Sequence, residues 1–229
     1  MRLSDMRKLA IIMSGCGGMD GTECHEAMCL MLAIRRAGLD YMCFAIDEDQ
    51  KYVIHCNKML QSGEKRNMLD EAGRLNHANI HDIKKLSVNK FDGLVFPGGY
   101  GTGTSFSNFI VCNGNSCVKN NDYTVRDEIK SVIQAFHEQG KPIFAGCMAG
   151  ILVNGSLTGI KVMTDVGKYT EEAIEKRKNT YQVCNAGEIC VDEENKIVTA
   201  PYYMTPKVEI ETIFDESEKG VAAMIELFN

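Results

Sequence analysis

The chain has 229 residues, 45% hydrophobic and 24% charged, a globular balance that excludes disordered and fibrous classes. Its formal net charge of −6 repels phosphate backbones, so no nucleic-acid partner is expected, and no apolar run is long enough to span a membrane. Ten cysteines without a C-x-x-C pair speak against a zinc ribbon or a thioredoxin-type site; with no apolar leader and too few residues before the first strand for a mitochondrial presequence, they predict a reducing, cytoplasmic compartment and mostly free thiols.

In chain order, residues 9–13 read as a buried strand ending at Ser14-Gly15. A helix is predicted over 22–37, with Gly38 as its stop. A strand over 40–46 follows, with a short strand over 52–56 beside it, then a helix over 67–75. Residues 93–96 form a strand running into Pro97-Gly98-Gly99. Val125, Ile129, Val132, Ile133 and Phe136 mark the apolar stripe of a second long helix over 122–139, ended by Gly140. The strand over 142–146 leads at once into a helix over 148–153. A strand over 161–164, a helix over 169–178 and a hairpin over 188–199 come next. Thr205-Pro206 reads as N-cap and first helical residue of a last helix, with Gly220 as its candidate break. This alternation predicts one α/β domain over 1–229, with a mainly parallel central sheet between helical layers and ligands at the carboxyl ends of its strands.

Three of those ends stand out: Ser14-Gly15-Cys16-Gly17-Gly18, Pro97-Gly98-Gly99-Tyr100-Gly101 and Ala145-Gly146-Cys147. In Ala145-Gly146-Cys147-Met148-Ala149-Gly150 a strand meets a helix at a cysteine flanked by small residues, the requirement of a nucleophile elbow. A helix N-terminus there favours thiolate and lowers the thiol pKa; the competing reading is a packing cysteine. In Pro97-Gly98-Gly99-Tyr100-Gly101 the glycines let amides approach a ligand, so Gly99 and Met148 are candidate oxyanion donors; an ordinary tight turn is the alternative. Asp20-Gly-Thr-Glu23 fits a capping box, with Asp20 as N-cap. That gives Glu23 a structural task. Glu26 shares a face with Leu30, Ala33 and Ala37, where burial would raise its pKa, and it is preferred to Glu23 as the thiol's partner.

All five histidines, His25, His55, His77, His81 and His137, precede Cys147. The nucleophile-then-histidine order of hydrolases and amidotransferases therefore cannot be met within the chain. His25 adjoins the cap and could reach the pocket mouth, although a surface histidine is the preferred reading, and His137 reads as a contact at a helix C-terminus. No H-E-x-x-H appears, and no metal site is expected.

The stretches SGCGGMDGTECHEA at 14–27, CFAIDEDQ at 43–50, KRNMLDEAGRL at 65–75 and FDGLVFPGGYG at 91–101 resemble the DJ-1/PfpI superfamily. SNF at 107–109, GKPI at 140–143, TD at 164–165 and VDEENKIVTAPYYM at 191–204 extend the resemblance over nearly the whole chain. It is closest in pattern to the ElbB-type branch, the sigma cross-reacting or isoprenoid biosynthesis glyoxalase proteins. The resemblance implies a flavodoxin-like, class I glutamine amidotransferase-like three-layer sandwich. It makes Cys147 the elbow cysteine and Glu26, twelve residues before Gly38, the pocket glutamate, with Gly99 and Met148 as oxyanion amides. It places Gly15, Cys16, Glu23, Tyr100, Asn108 and Asp165 around the pocket, and implies a homodimer without cofactor or metal. Met148-Ala149-Gly150 departs from the Ile-Ala-Pro common in that branch, and no histidine follows the cysteine as in the protease-like members.

Three functions fit these residues. The first is a cofactor-independent glyoxalase acting on small 2-oxoaldehydes through Cys147 and Glu26. The second is a non-catalytic redox sensor of oxidative stress, in which Cys147 is oxidised. The third is a flavodoxin-like phosphate binder using the loop at 14–22, which lacks a P-loop ending.

Overall fold

Unbroken apolar runs dictate the centre of the molecule: 9–13, 93–96 and 143–146 have no polar face, and each becomes a strand buried on both sides. A computed structural model describes residues 6–114, 116–165 and 170–228, with only the backbone of Asp165. The elements begin with β1 (Lys8–Met13), α1 (Cys24–Arg36), β2 (Asp40–Ala45), β3 (Ile54–His55), β4 (Leu60–Gln61), α2 (Met68–Gly73) and β5 (Ile80–Asp82). They continue with β6 (Gly93–Phe96), α3 (Tyr100–Thr104), β7 (Ile110–Asn113), β8 (Ser116–Lys119), α4 (Asp127–Glu138) and β9 (Ile143–Gly146). The remainder are α5 (Gly150–Ser156), β10 (Lys161–Asp165), α6 (Glu171–Glu175), β11 (Thr180–Cys184), β12 (Cys190–Asp192), β13 (Ile197–Ala200) and α7 (Ile210–Glu226).

Seven strands form the central sheet in the order β12-β13-β9-β6-β1-β2-β5. Every neighbouring pair is parallel except the terminal hairpin β12–β13. Helices α1 and α7 pack on one another, α4 packs on α5, and the sheet lies between the layers. The fold is therefore the mainly parallel three-layer α/β sandwich expected. Its core runs from Leu9 to Met224 and includes Phe44, Phe96, Phe136 and Phe144, all buried. The order β13-β9-β6-β1 puts four parallel strands side by side, so the segments leaving their carboxyl ends converge.

Several expectations are corrected. The strand over 52–56 does not join the main sheet: Ile54–His55 pairs only with Leu60–Gln61, as a hairpin of its own. The strand starting at Lys161 pairs with β11 in a separate two-stranded sheet. Helix α4 begins at Asp127 rather than 122, because the preceding segment is tied across the fold by Arg126 N–H donating to Phe106 O at 2.9 Å. Thr205 caps no helix; its amide closes a 3-10 turn on Tyr202 O, and α7 starts only at Ile210. Nor does Gly220 break α7: a Cβ there would stand 2.3 Å from Phe144, so glycine lets the helix press on the sheet. The helix predicted over 169–178 is observed as Glu171–Glu175, and its first predicted residue lies outside the described ones. Edge strand β5, helix α3 and the β7–β8 hairpin carried no clear periodic signal. A disulfide joins Cys112 to Cys117 across that hairpin, and the other eight cysteines are free. Among the described residues no helix is long and apolar enough to cross a membrane.

Candidate active site

The turn after β9 places Cys147 at φ +50°, a left-handed conformation that costs about 1–3 kcal/mol for a residue with a Cβ. This is the tight strand-to-helix corner of an elbow. Cys147 opens a 3-10 turn over Cys147–Ala149 that continues into α5. Its side chain is buried, and the amides of Met148 and Gly99 lie close enough to its sulfur to favour the charged form.

Gly99 reaches the sulfur because its own backbone is left-handed, at φ +105°. A Cβ there would collide with Gly21 O at 2.3 Å and with Glu23 N at 2.5 Å. Gly98 is squeezed equally: a Cβ would meet Cys147 Cβ at 2.4 Å and Glu26 Oε2 at 2.6 Å. The two glycines thus let the turn after β6 pass between the cysteine and helix α1.

Glu26 arrives from the first turn of α1, on the face that buries Ala27, Leu30 and Ile34. It is fully buried, and Oε2 accepts the Gly98 amide at 2.9 Å. Oε1 is buried and has no hydrogen-bond partner among the described residues, although the Cys147 thiol and the Tyr203 amide lie near enough to lower the carboxyl's pKa in part. Burial, then the negative charge of Glu23, pushes Glu26 up to about 8. Burial, then the Glu26 charge, likewise pushes the Cys147 thiol well up, and the amides of Met148 and Gly99 oppose this only in part. The thiolate expected from the helix N-terminus is therefore opposed: desolvation and the Glu26 charge push the thiol towards its protonated form more than the amides pull it back. Helix α5 is also only seven residues long, so its dipole is weak.

Glu23 takes the N-cap position of α1 that was expected for Asp20, and its Oε2 accepts the Glu26 amide at 2.8 Å. Asp20 instead accepts the Ile54 amide at 2.8 Å on Oδ2 and the Gln50 side-chain amide at 2.7 Å on its carbonyl.

A cavity of about 680 Å³ opens over the pair, large enough for a small organic ligand. Glu23, Glu26, Gly99, Tyr100, Cys147 and Met148 line it, as do Gly18 from the loop after β1 and His25, and so do Met19, Tyr203 and Met204, which sequence reasoning missed. Gly15 and Cys16 lie outside the lining. Asn108 is also outside: it borders a separate groove with Thr124 and Arg126, and its Oδ1 accepts the Thr124 amide. The side chain of Asp165 falls outside the described residues.

His25, read as a surface histidine, is half exposed yet borders the cavity, with Nδ1 3.0 Å from Tyr203 Oη and 3.6 Å from Glu23 Oε1. Tyr203 and Met204 are set by Tyr202, which is buried and left-handed at φ +48°. The buried Glu216 holds that conformation, accepting the Tyr202 amide at 2.8 Å on Oε2 and the Gly187 amide at 2.7 Å on Oε1. His77 and His81 stand four residues apart, but His77 is in a turn and His81 on β5, so they share no helix face. Among the described residues no group of three metal-ligating side chains converges.

No family model matches the chain. It is 35% identical over 228 residues to human glutamine amidotransferase-like class 1 domain-containing protein 3, mitochondrial, covering 95% of this chain and 81% of that protein. It is 33% identical over 228 residues to the rat mitochondrial ES1 protein homolog, with the same coverage. Both relatives are mitochondrial, which overturns the expectation of a cytoplasmic protein. Among solved structures, an isoprenoid biosynthesis protein with an amidotransferase-like domain from Ehrlichia chaffeensis superposes with a TM-score of 0.86 at 28% identity, covering 97% of this chain and 100% of that one. Drosophila melanogaster DJ-1beta (TM-score 0.54, 14% identity, 97% and 95% covered) and Candida albicans glyoxalase III (0.60, 12%, 95% and 97%) share the fold. By sequence and by architecture together, the chain belongs to the glutamine amidotransferase-like class 1 (ES1) family, within the DJ-1/PfpI fold.

Proposed function

We propose that the chain is a cofactor-independent glyoxalase-like enzyme that converts small 2-oxoaldehydes to 2-hydroxy acids. The observation that carries this reading is the meeting of Cys147 and Glu26 at the wall of one cavity, with the Gly99 and Met148 amides near the sulfur. A glyoxalase III from Candida albicans is a precedent for the fold hosting this chemistry.

In the reactive form Glu26 has lost its proton. It takes the thiol proton as the sulfur bonds to the aldehyde carbon. The carbonyl electron pair becomes an oxyanion beside the sulfur, near the two amides, and Glu26 hands it the thiol proton, giving a hemithioacetal and freeing the carboxylate. Glu26 then removes the hydrogen on that carbon, giving an enediolate, and returns it to the neighbouring carbon as the hydroxyl proton passes to the ketone oxygen. The aldehyde carbon is oxidised to a thioester as the ketone carbon is reduced, so the electrons balance within the substrate. Water cleaves the thioester, releasing the hydroxy acid and the thiol.

The test is lactate formation from methylglyoxal by the purified chain, by Cys147→Ser and by Glu26→Gln. Both variants lose turnover on this reading; full turnover in Cys147→Ser ends it. The two amides near the sulfur also favour a second reading, since they are placed to hold sulfinate oxygens on an oxidised Cys147. Negligible turnover with selective peroxide oxidation of Cys147 supports that reading instead. The relatives' location supports a mitochondrial setting for this chain, which organelle fractionation checks.

A further inference from the structure

A second pair of sulfurs lies behind the cavity wall. Cys16 Sγ and Cys24 Sγ are 3.7 Å apart, both half-buried and both free. The segment between them is held by its own hydrogen bonds. Gly17 N–H donates to Thr22 O at 2.8 Å, and Gly21 N–H donates to Gly17 O at 2.7 Å. Ser14 N–H donates to Thr22 Oγ1 at 2.7 Å, fastening the segment to the end of β1. Cys24 is the first residue of α1, so each thiol sits at an anchored end of one ordered loop. A disulfide requires sulfurs about 2.05 Å apart, so the remaining gap is about 1.7 Å.

We propose that Cys16 and Cys24 are a redox-active dithiol, a modification site distinct from Cys147, which a hydroperoxide closes to an intramolecular disulfide.

The local chemistry assigns the two roles. The hydrogen bond shared with Cys16 brings Cys24 down to about 7, against the opposing effects of burial and of the Glu23 charge, and Cys24 opens the thirteen-residue helix α1, whose N-terminus favours a thiolate. Cys16 is pushed up by that same hydrogen bond, by burial and by the Cys24 charge. Cys24 is the attacking sulfur and Cys16 the resolving one. The Cys24 thiolate attacks the peroxide: an S–O bond forms, the O–O bond breaks, and the departing alkoxide or hydroxide takes a proton. Cys16, losing its proton, then displaces hydroxide from the sulfenic sulfur; an S–S bond forms, the S–O bond breaks, and water leaves. Two thiols and one hydroperoxide give one disulfide, one alcohol or water, and one water. Two electrons pass from sulfur to oxygen.

The couple is wired to the cavity. The loop between the two cysteines carries Gly18, Met19 and Glu23, all cavity-lining. Gly18 O accepts the Tyr100 amide at 2.9 Å, and Glu23 N–H donates to Gly98 O at 3.0 Å. Closing the disulfide restrains that wall without engaging Cys147, and it does so whether or not Cys147 turns over a substrate.

Peptide mapping of the full chain after hydrogen peroxide and alkylation tests this. Cleavage before Asp20 separates Cys16 from Cys24, so a bridge holds two peptides together until dithiothreitol parts them. The linked pair is expected in the oxidised wild type, with loss of alkylation at both sulfurs together. It is expected to persist in Cys147→Ser and Cys29→Ser and to vanish in Cys16→Ser and Cys24→Ser. Full alkylation of Cys16 and Cys24 after oxidation overturns the proposal. So does sulfinate on Cys24 beside a free Cys16, or a linkage that runs through Cys29. The wild-type map alone decides if a variant fails to fold.

Discussion

The Gly98 amide donates to Glu26 Oε2 at 2.9 Å, joining two residues 72 positions apart in the chain. That bond pins the first turn of α1 against the turn after β6 and sets the carboxyl beside the Cys147 thiol. Nothing but hydrogen fits between them at Gly98.

Gly98→Ala is therefore expected to push the pair apart, since the new methyl would lie 2.4 Å from Cys147 Cβ. Overpacking of this kind costs about 1–3 kcal/mol of stability. Turnover on methylglyoxal falls with it, because the carboxyl no longer meets the thiol. A urea melt and a lactate assay on the same sample measure both. Wild-type turnover in this variant would show that the contact is incidental.

Turnover should follow the ionisation of Glu26. With its proton held to about 8, the carboxylate form grows as pH rises, so the rate climbs through that region. Glu26→Gln removes the climb and lowers the rate by about 10²–10⁴, the usual loss when a general base is removed. A pH–rate profile of both proteins measures this, and an identical climb in Glu26→Gln assigns the titration elsewhere.

Stability should move the opposite way. The unfolded chain releases the Glu26 proton near 4.5, while the folded chain keeps it to about 8. Between those values the native state binds more protons. Its stability is full below the lower value and falls as pH rises to the upper one, by on the order of 4 kcal/mol from this group alone. Urea midpoints from about pH 5 to about pH 8 are expected to fall more steeply in the wild type than in Glu26→Gln. Parallel slopes would contradict a buried, raised carboxyl.

Glu216→Gln should weaken the far wall. The carboxylate accepts two amides, from Gly187 and Tyr202, and an amide side chain offers an acceptor to only one. The expected loss is about 1–3 kcal/mol, with a raised KM as Tyr203 and Met204 lose their anchor. Thermal melts and steady-state kinetics read the two effects. An unchanged KM would separate Glu216 from the pocket.

Strands β1, β6 and β9 were legible because each is an unbroken apolar run bounded by glycine or proline. The elbow was legible because a strand meets a helix at Cys147 with small residues, Ala145 and Ala149, two positions to either side. Glu26 was legible from the face it shares with Leu30. Tyr203 and Met204 were not, because a carboxylate on α7 positions them and such a tie leaves no local pattern. Thr205-Pro206 carries a strong local helix-start signal, yet the 3-10 turn at Tyr202 takes its amide instead. Asp20 and Glu23 are both plausible caps; contacts from Gln50 and Ile54 draw Asp20 away and decide between them. A helix-end argument points to thiolate, and it leaves out the burial of the sulfur, which pushes the thiol the other way.

The cavity walls are supplied by the tails of β1, β6, β9 and β13, four adjacent parallel strands. The β1 and β6 walls are tied to one another by the Tyr100–Gly18 and Glu23–Gly98 bonds, whereas residues 203–204 come from the tail of β13. Exchanging residues 203–204 would alter which molecules are admitted while the sulfur and its proton partner stay in place.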